Sequence, residues 1–208
     1  MTVPSRSTLV AAEALAGGGT VLDVGCGGGA AAFALVPPAT EVVGTDRQED
    51  MLRLFATTAA ERGIPALTVH GSWPDIVDAV PEADVVVCHN VLYNAPDLLG
   101  FVSALSARAR RRVVIEITER HPQVTRAPLW RHFWGLDRPS GPDALLAAEA
   151  LREAGFPVVI ERRAAAGRMT SARLVSRRPF GAVSCACRQS ARTRSAPCCA
   201  TCRSRRRG

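Results

Sequence analysis

Four glycines stand directly behind a run of strand-forming residues in Val21-Leu22-Asp23-Val24-Gly25-Cys26-Gly27-Gly28-Gly29-Ala30. Glycine at 25, 27 and 29 lets a strand turn sharply and lets backbone approach a ligand that a Cβ would exclude. Gly25, Gly27 and Ala30 also satisfy the G-x-G-x-x-G/A dinucleotide fingerprint. Asp23 separates the readings: a carboxylate beside the loop repels a pyrophosphate but suits a ligand carrying an ammonium and a sulfonium. Asp46 follows 23 residues later, where a second strand ends. A carboxylate there can accept both hydroxyls of an adenosine ribose, a feature that NAD and S-adenosylmethionine sites share.

These residues need a frame. Thr20–Val24 reads as a buried strand running into the glycines, and Ala30–Leu35 opens a helix. Glu41–Thr45 is a second strand ending at Asp46, followed by a helix through Met51, Leu52, Phe55 and Ala59. Leu67–His70, Ala83–Cys88 and Val113–Ile117 are the third, fourth and fifth strands. An arginine-rich helix end at Arg108–Arg112 precedes the fifth. Ser7–Ala16 and Ala144–Ala154 read as helices, Pro157–Ile160 and Arg168–Val175 as the last two strands. Short apolar runs alternating with helices predict an α/β fold, a mostly parallel sheet covered on both faces.

Asp-x-Gly-x-Gly-x-Gly at 23–29, Asp46 after the second strand, and Ala-Asp-Val-Val-Val-Cys-His-Asn-Val-Leu-Tyr-Asn at 83–94 occur in order. Together they resemble a class I S-adenosylmethionine-dependent methyltransferase, of the actinobacterial type with a small-molecule acceptor, over about residues 10–178. The resemblance implies a Rossmann-like, seven-stranded sheet of order 3-2-1-4-5-7-6 with the last strand antiparallel. It implies that Asp23, Gly25, Cys26, Gly27 and Gly29 hold the methionine part of S-adenosylmethionine, and that Asp46, with Arg47 beside it, takes the ribose. Ser72 and Trp73 would flank the adenine, with His89 and Asn90 completing the cofactor site. The family often has an acid where Ser72 stands; Asp75 is the nearby alternative.

Methyl transfer is an in-line displacement on an activated donor, so the protein positions and desolvates, with a base only where the nucleophile must lose a proton. Acceptor-side candidates belong at the carboxyl ends of strands four and five: His89, Asn90, Tyr93 and Asn94, then Glu116, Thr118, Glu119 and His121. His89 has the ordinary pKa of a neutral-pH base, but equally suits a loop-shaping role. Tyr93, the single tyrosine, either orients an acceptor or packs over the cofactor. These two are the catalytic candidates. Leu129-Trp130-Arg131-His132-Phe133-Trp134, with Arg138 beyond, is either an acceptor cap or a satellite core under a long loop.

Charge divides the chain. Residues 1–160 carry 13 arginines and 18 acids, a balance of −5, whereas 161–208 carry 13 arginines and one acid, a balance of +12. All 26 basic residues are arginine, consistent with a GC-rich genome. The domain therefore reads as 1–180, followed by an Arg/Cys-rich tail, 181–208, with no helical or strand periodicity. Cys185, Cys187, Cys198, Cys199 and Cys202 match no ordinary zinc spacing, so no metal is expected. The tail reads as a disordered basic arm or as a frameshifted terminus. One set of GC-rich codons for 184–202, read from the third base of the Ser184 codon, restores acids, leucines and helical spacing.

No apolar run reaches the ~18–20 residues of a membrane span and no signal-peptide pattern opens the chain, so a cytoplasmic location is expected. A nucleic-acid partner is not expected, because no Asn/Asp-Pro-Pro-Tyr/Phe motif occurs; oligomeric state is not legible. The expected function is methyl transfer from S-adenosylmethionine to a small molecule. A non-catalytic module binding S-adenosylmethionine or S-adenosylhomocysteine (SAH) stands as the alternative, with an NAD-dependent oxidoreductase behind it.

Overall fold

The computed structural model describes residues 4–138, 141–164 and 170–177, all within the compact unit Met1–Arg178. The Arg/Cys-rich tail lies outside the described residues. Strands β1 (Thr20–Val24), β2 (Glu41–Asp46), β3 (Ala66–His70), β4 (Ala83–His89) and β5 (Ala109–Thr118) pair in parallel, in the order β3-β2-β1-β4-β5. Beyond β5, β7 (Thr170–Arg177) pairs antiparallel with β5, and β6 (Val158–Ala164) antiparallel with β7.

Alternation along each strand sends side chains to two separate cores. On one face, Val21, Val42, Val85, Val87 and Val114 pack with Val10 and Ala11 of α1 (Arg6–Ala14) and with Phe55 and Ala59 of α3 (Glu49–Glu61). On the other, Leu22, Val24, Val43, Val86, Cys88, Val113, Ile115 and Ile117 meet α4 (Leu98–Arg108) and α6 (Ala144–Glu153). A strand buried on both faces must be apolar at every position, which is why β1 and β4 read as continuous runs. The remaining helices are α2 (Ala30–Phe33), one turn long, and α5 (Ala127–Trp134). Asp97 and Asp143 cap α4 and α6, accepting backbone N–H groups at 2.9–3.0 Å.

Only Arg108 of the Arg108–Arg112 run is a helix end. α4 stops at Arg108, and Ala109 already pairs with Ala83, so the arginines open β5. Basic residues suit a helix C-terminus, which made the sequence signal ambiguous. Tertiary pairing decides it. Arg111 reaches Asp84 at 3.1 Å, Arg110 reaches Glu82 at 3.6 Å, and Arg112 donates to the Val10 carbonyl at 2.8 Å, tying α1 to β5.

The connections from β1 and β4 lead to opposite sides of the sheet, so a crevice opens beyond their carboxyl ends.

Candidate functional site

The glycine loop is held by β2 as well as by its own Gly29 N–H, which donates to the Cys26 carbonyl at 2.8 Å. The Thr45 carbonyl accepts the N–H groups of both Gly25 and Cys26, at 2.8 and 2.9 Å. One residue on, Asp46 accepts the Gly27 N–H on Oδ2 at 2.9 Å and the Gln48 N–H on Oδ1 at 2.9 Å. Each carboxylate oxygen keeps a further lone pair. Asp46 thus braces the loop and retains acceptors for the hydroxyl pair of a ribose.

The glycines differ in what they permit. Gly25 has φ +71°, and a Cβ there would stand 2.4 Å from Val91 Cγ2, so the loop after β4 closes directly onto the turn. Gly29, φ +82°, is wedged against the rings of Phe33 and Phe55. At Gly27, φ +50°, the place a Cβ would take is open, as a backbone cradle for a ligand requires.

A cleft of about 210 Å³ lies over these groups. Gly25, Asp46, Arg47, Ser72, Trp73 and Asn90 all line it, brought from the ends of four strands. Asn90 turns the chain with φ 59°, its N–H donating to the Glu116 carbonyl at 2.7 Å. Trp73 is fixed by donating Nε1–H to the Phe101 carbonyl at 3.3 Å. Phe101 and Val91 also line the cleft. Sequence reasoning missed both; of α4 only its arginine-rich end was read from the sequence, and only packing shows that Val91 fills the space above Gly25.

Gly27 and Gly29 of the turn do not line the cleft, and three more predicted residues stand away from it. Asp23 is 1 % exposed beneath the loop, accepting the Ala32 N–H at 3.1 Å. Burial pushes its carboxyl up to about 7, opposed by that N–H and reinforced by the nearby Asp46 charge. Cys26 is buried, its Sγ 3.4 Å from the Gly27 carbonyl, and burial pushes its thiol well up, so it is no nucleophile. His89 lines neither this cleft nor the cavity below; it pairs in register with Glu116, on the sheet face that carries α1.

Tyr93 belongs to a second cavity, of about 380 Å³, between β5 and α6. Thr118 Oγ donates to the Arg120 carbonyl at 2.5 Å, so it accepts from the Tyr93 hydroxyl, which in turn accepts the Thr118 N–H. That hydroxyl locks two loops together. His121 lines the same cavity, edge-on to Tyr93 with ring centroids 5.0 Å apart. Its Nδ1 accepts the Gln123 N–H at 3.0 Å, so in the neutral ring Nε2 carries the hydrogen. Asp75 lines neither space.

The aromatic segment is not a satellite core. Phe133 is 66 % and Trp134 61 % exposed, and no residue of α5 is buried. Trp130 stacks on Trp134 at 4.8 Å and carries the Arg138 guanidinium 4.7 Å above its ring; Arg138 alone of this group reaches the cavity. Among the described residues no group of three or more His, Cys, Asp or Glu side chains is placed to hold a metal, and no helix is long and apolar enough to cross a membrane.

Comparison with known proteins bears on this arrangement. Residues 21–112 match the family described as "Methyltransferase domain". The chain is 32 % identical over 108 residues to the ubiquinone biosynthesis O-methyltransferase of Methylococcus capsulatus, covering 51 % of this chain and 46 % of that one. It is 37 % identical over 103 residues to an uncharacterized protein of Haemophilus influenzae, covering 49 % of this chain and 38 % of that one. The chain thus spans less than half the length of these curated relatives. Among solved structures, magnesium protoporphyrin IX methyltransferase from Synechocystis PCC 6803 with SAH bound shares the fold. The TM-score is 0.62 at 21 % identity, covering 83 % of this chain and 82 % of that one.

Proposed function

We propose that this protein is an S-adenosylmethionine-dependent methyltransferase of the class I fold, acting on a small-molecule acceptor. The observation that carries this reading is the cleft at the crevice between β1 and β4, where Gly25, Asp46, Ser72, Trp73 and Asn90 converge from separate strand ends. The methyltransferase-domain match over 21–112 covers every one of those residues.

The residues fit the donor. Asp46 offers acceptors to a ribose, Trp73 a fixed aromatic wall beside an adenine, and the open backbone at Gly27 a close approach. Asp23 lies beneath the loop and off the cleft, so the preference for S-adenosylmethionine over NAD rests on the methyltransferase-domain match. Bound in the cleft, the donor supplies a methyl group on a sulfonium, already activated toward displacement. The chain's own task is orientation and exclusion of water. Val91 and Leu92 follow Asn90 directly, with Val91 on the cleft and Leu92 on the second cavity, so the turn after β4 adjoins both spaces.

Titration calorimetry with S-adenosylmethionine, SAH and NAD tests the reading. Saturable binding of the first two at one site is expected; NAD binding without SAH binding would overturn it.

A further inference from the structure

The cavity between β5 and α6 has a graded lining. Its floor is apolar and buried: Leu92, Ile117 and Ala144. Its rim is exposed, at Arg138, Pro142 and Leu146. Polar groups enter from the segment after β5, where Glu119 and His121 stand, and from the rim at Arg138. The Tyr93 hydroxyl is engaged with Thr118, and Asp143 Oδ1 accepts two N–H groups of α6. Neither is chiefly directed at a ligand.

About 380 Å³ is near the lower end of the range for small-molecule sites. A space of this size holds a ligand of one ring with its substituents. Apolar surface on two sides suits a flat ring. His121 offers a donor from Nε2, because its Nδ1 is occupied by the Gln123 N–H. A donor of that kind pairs well with a phenolic oxygen, which has a second lone pair to spare, and poorly with an arylamine nitrogen, whose one lone pair is delocalised into the ring and is needed for attack. Glu119 is a carboxylate on the same wall, able to receive a proton. The Arg138 guanidinium, held over Trp130, places a positive charge at the entrance.

We infer that the acceptor is a single-ring phenol bearing an anionic substituent, with the hydroxyl toward Glu119 and His121 and the anion at Arg138. This rests on the methyltransferase reading above. The reaction balances as follows: the phenolic O–H breaks with its proton passing to the Glu119 carboxylate, while oxygen forms the new bond to the methyl carbon. The carbon–sulfur bond breaks with its electron pair remaining on sulfur as the thioether of SAH.

The test uses the full chain with isotopically labelled S-adenosylmethionine and four probes: 4-hydroxybenzoate, phenol, benzoate and 4-aminobenzoate. Methylation of the phenolic oxygen of 4-hydroxybenzoate is expected, with no transfer to benzoate or to the amine. Calorimetry in saturating SAH should show Arg138→Gln weakening 4-hydroxybenzoate about tenfold, the loss of one charge-assisted contact, while leaving phenol unchanged. Arg138 is exposed, so folding is not at stake. Glu119→Gln should still bind the probe yet transfer no methyl group. SAH binding with methylation of the amine alone, with no probe bound, or with Arg138→Gln weakening phenol equally would overturn the inference and leave the donor reading standing. Failure to bind SAH would overturn the donor reading and this inference with it.

Discussion

Asp46 Oδ2 accepts the Gly27 N–H at 2.9 Å, across 19 residues of sequence. The carboxylate assigned to the ribose and the backbone assigned to the methionine part are therefore one mechanical unit. Replacing Asp46 disturbs both halves of the proposed donor site at once.

Asp46→Ala is expected to lose roughly 3 kcal/mol of SAH binding, about 100-fold in Kd, because two charge-assisted ribose contacts and the loop brace go together. Asp46→Asn keeps one carbonyl acceptor but turns an amide toward an N–H, and should fall between. Calorimetry on both, with thermal melts to confirm folding, reads this directly. An unchanged Kd in folded Asp46→Ala would remove the ribose assignment.

Gly25→Ala meets two obstacles, the left-handed φ of +71° and Val91 Cγ2 at 2.4 Å. The first costs about 1–2 kcal/mol and the second displaces the turn that lines the cleft. The melting temperature and SAH affinity should both drop. Adding Val91→Ala relieves the clash but not the φ, so the double variant should recover part of each. Full recovery would show that the backbone conformation is not the constraint.

Asp23 supplies a pH dependence. Its carboxyl titrates near 7 in the fold against an ordinary value of 3.8, chiefly through burial. Between about pH 4 and 7 the folded protein holds a proton that the unfolded chain has released. This contribution to stability is present at low pH, is lost as pH rises toward 7, and then levels off, at most about 4 kcal/mol in all. Asp23→Asn preserves an acceptor for the Ala32 N–H without the ionisation. It should raise the melting temperature at pH 8 and flatten the slope from 4 to 7, with SAH affinity little changed, since Asp23 does not line the cleft. A melt series at constant ionic strength decides it; a wild-type slope in the variant would exonerate Asp23.

Replacing Trp130, Arg131 and Trp134 together by alanine should cost little stability, about 1 kcal/mol or less, because α5 buries no residue. SAH affinity should be unchanged, since none of the three lines the cleft. A melting temperature lowered by tens of degrees would show that these rings carry a core.

Periodicity and composition were enough to read the glycine turn, the strand ending at Asp46 and the alternation of strand and helix. Each depends on neighbours along the chain: a turn needs its glycines in place, and a strand buried on both faces must be apolar throughout. Long-range pairing decided the rest. Arg108–Arg112 carries the charge of a helix end, yet Ala109 pairs with Ala83 and all of the run after Arg108 becomes a strand. Asp23 looked like a ligand contact, and its burial beneath Ala32 sets its charge instead. Tyr93 read either as orienting an acceptor or as packing over the cofactor, and Thr118, 25 residues away, engages its hydroxyl. Arg138 reaches the cavity because Trp130 holds its guanidinium there, one turn of helix and a loop before α6. A side chain's type sets what chemistry is available to it. Its protonation, orientation and freedom depend on residues distant in sequence that folding places within a few ångströms.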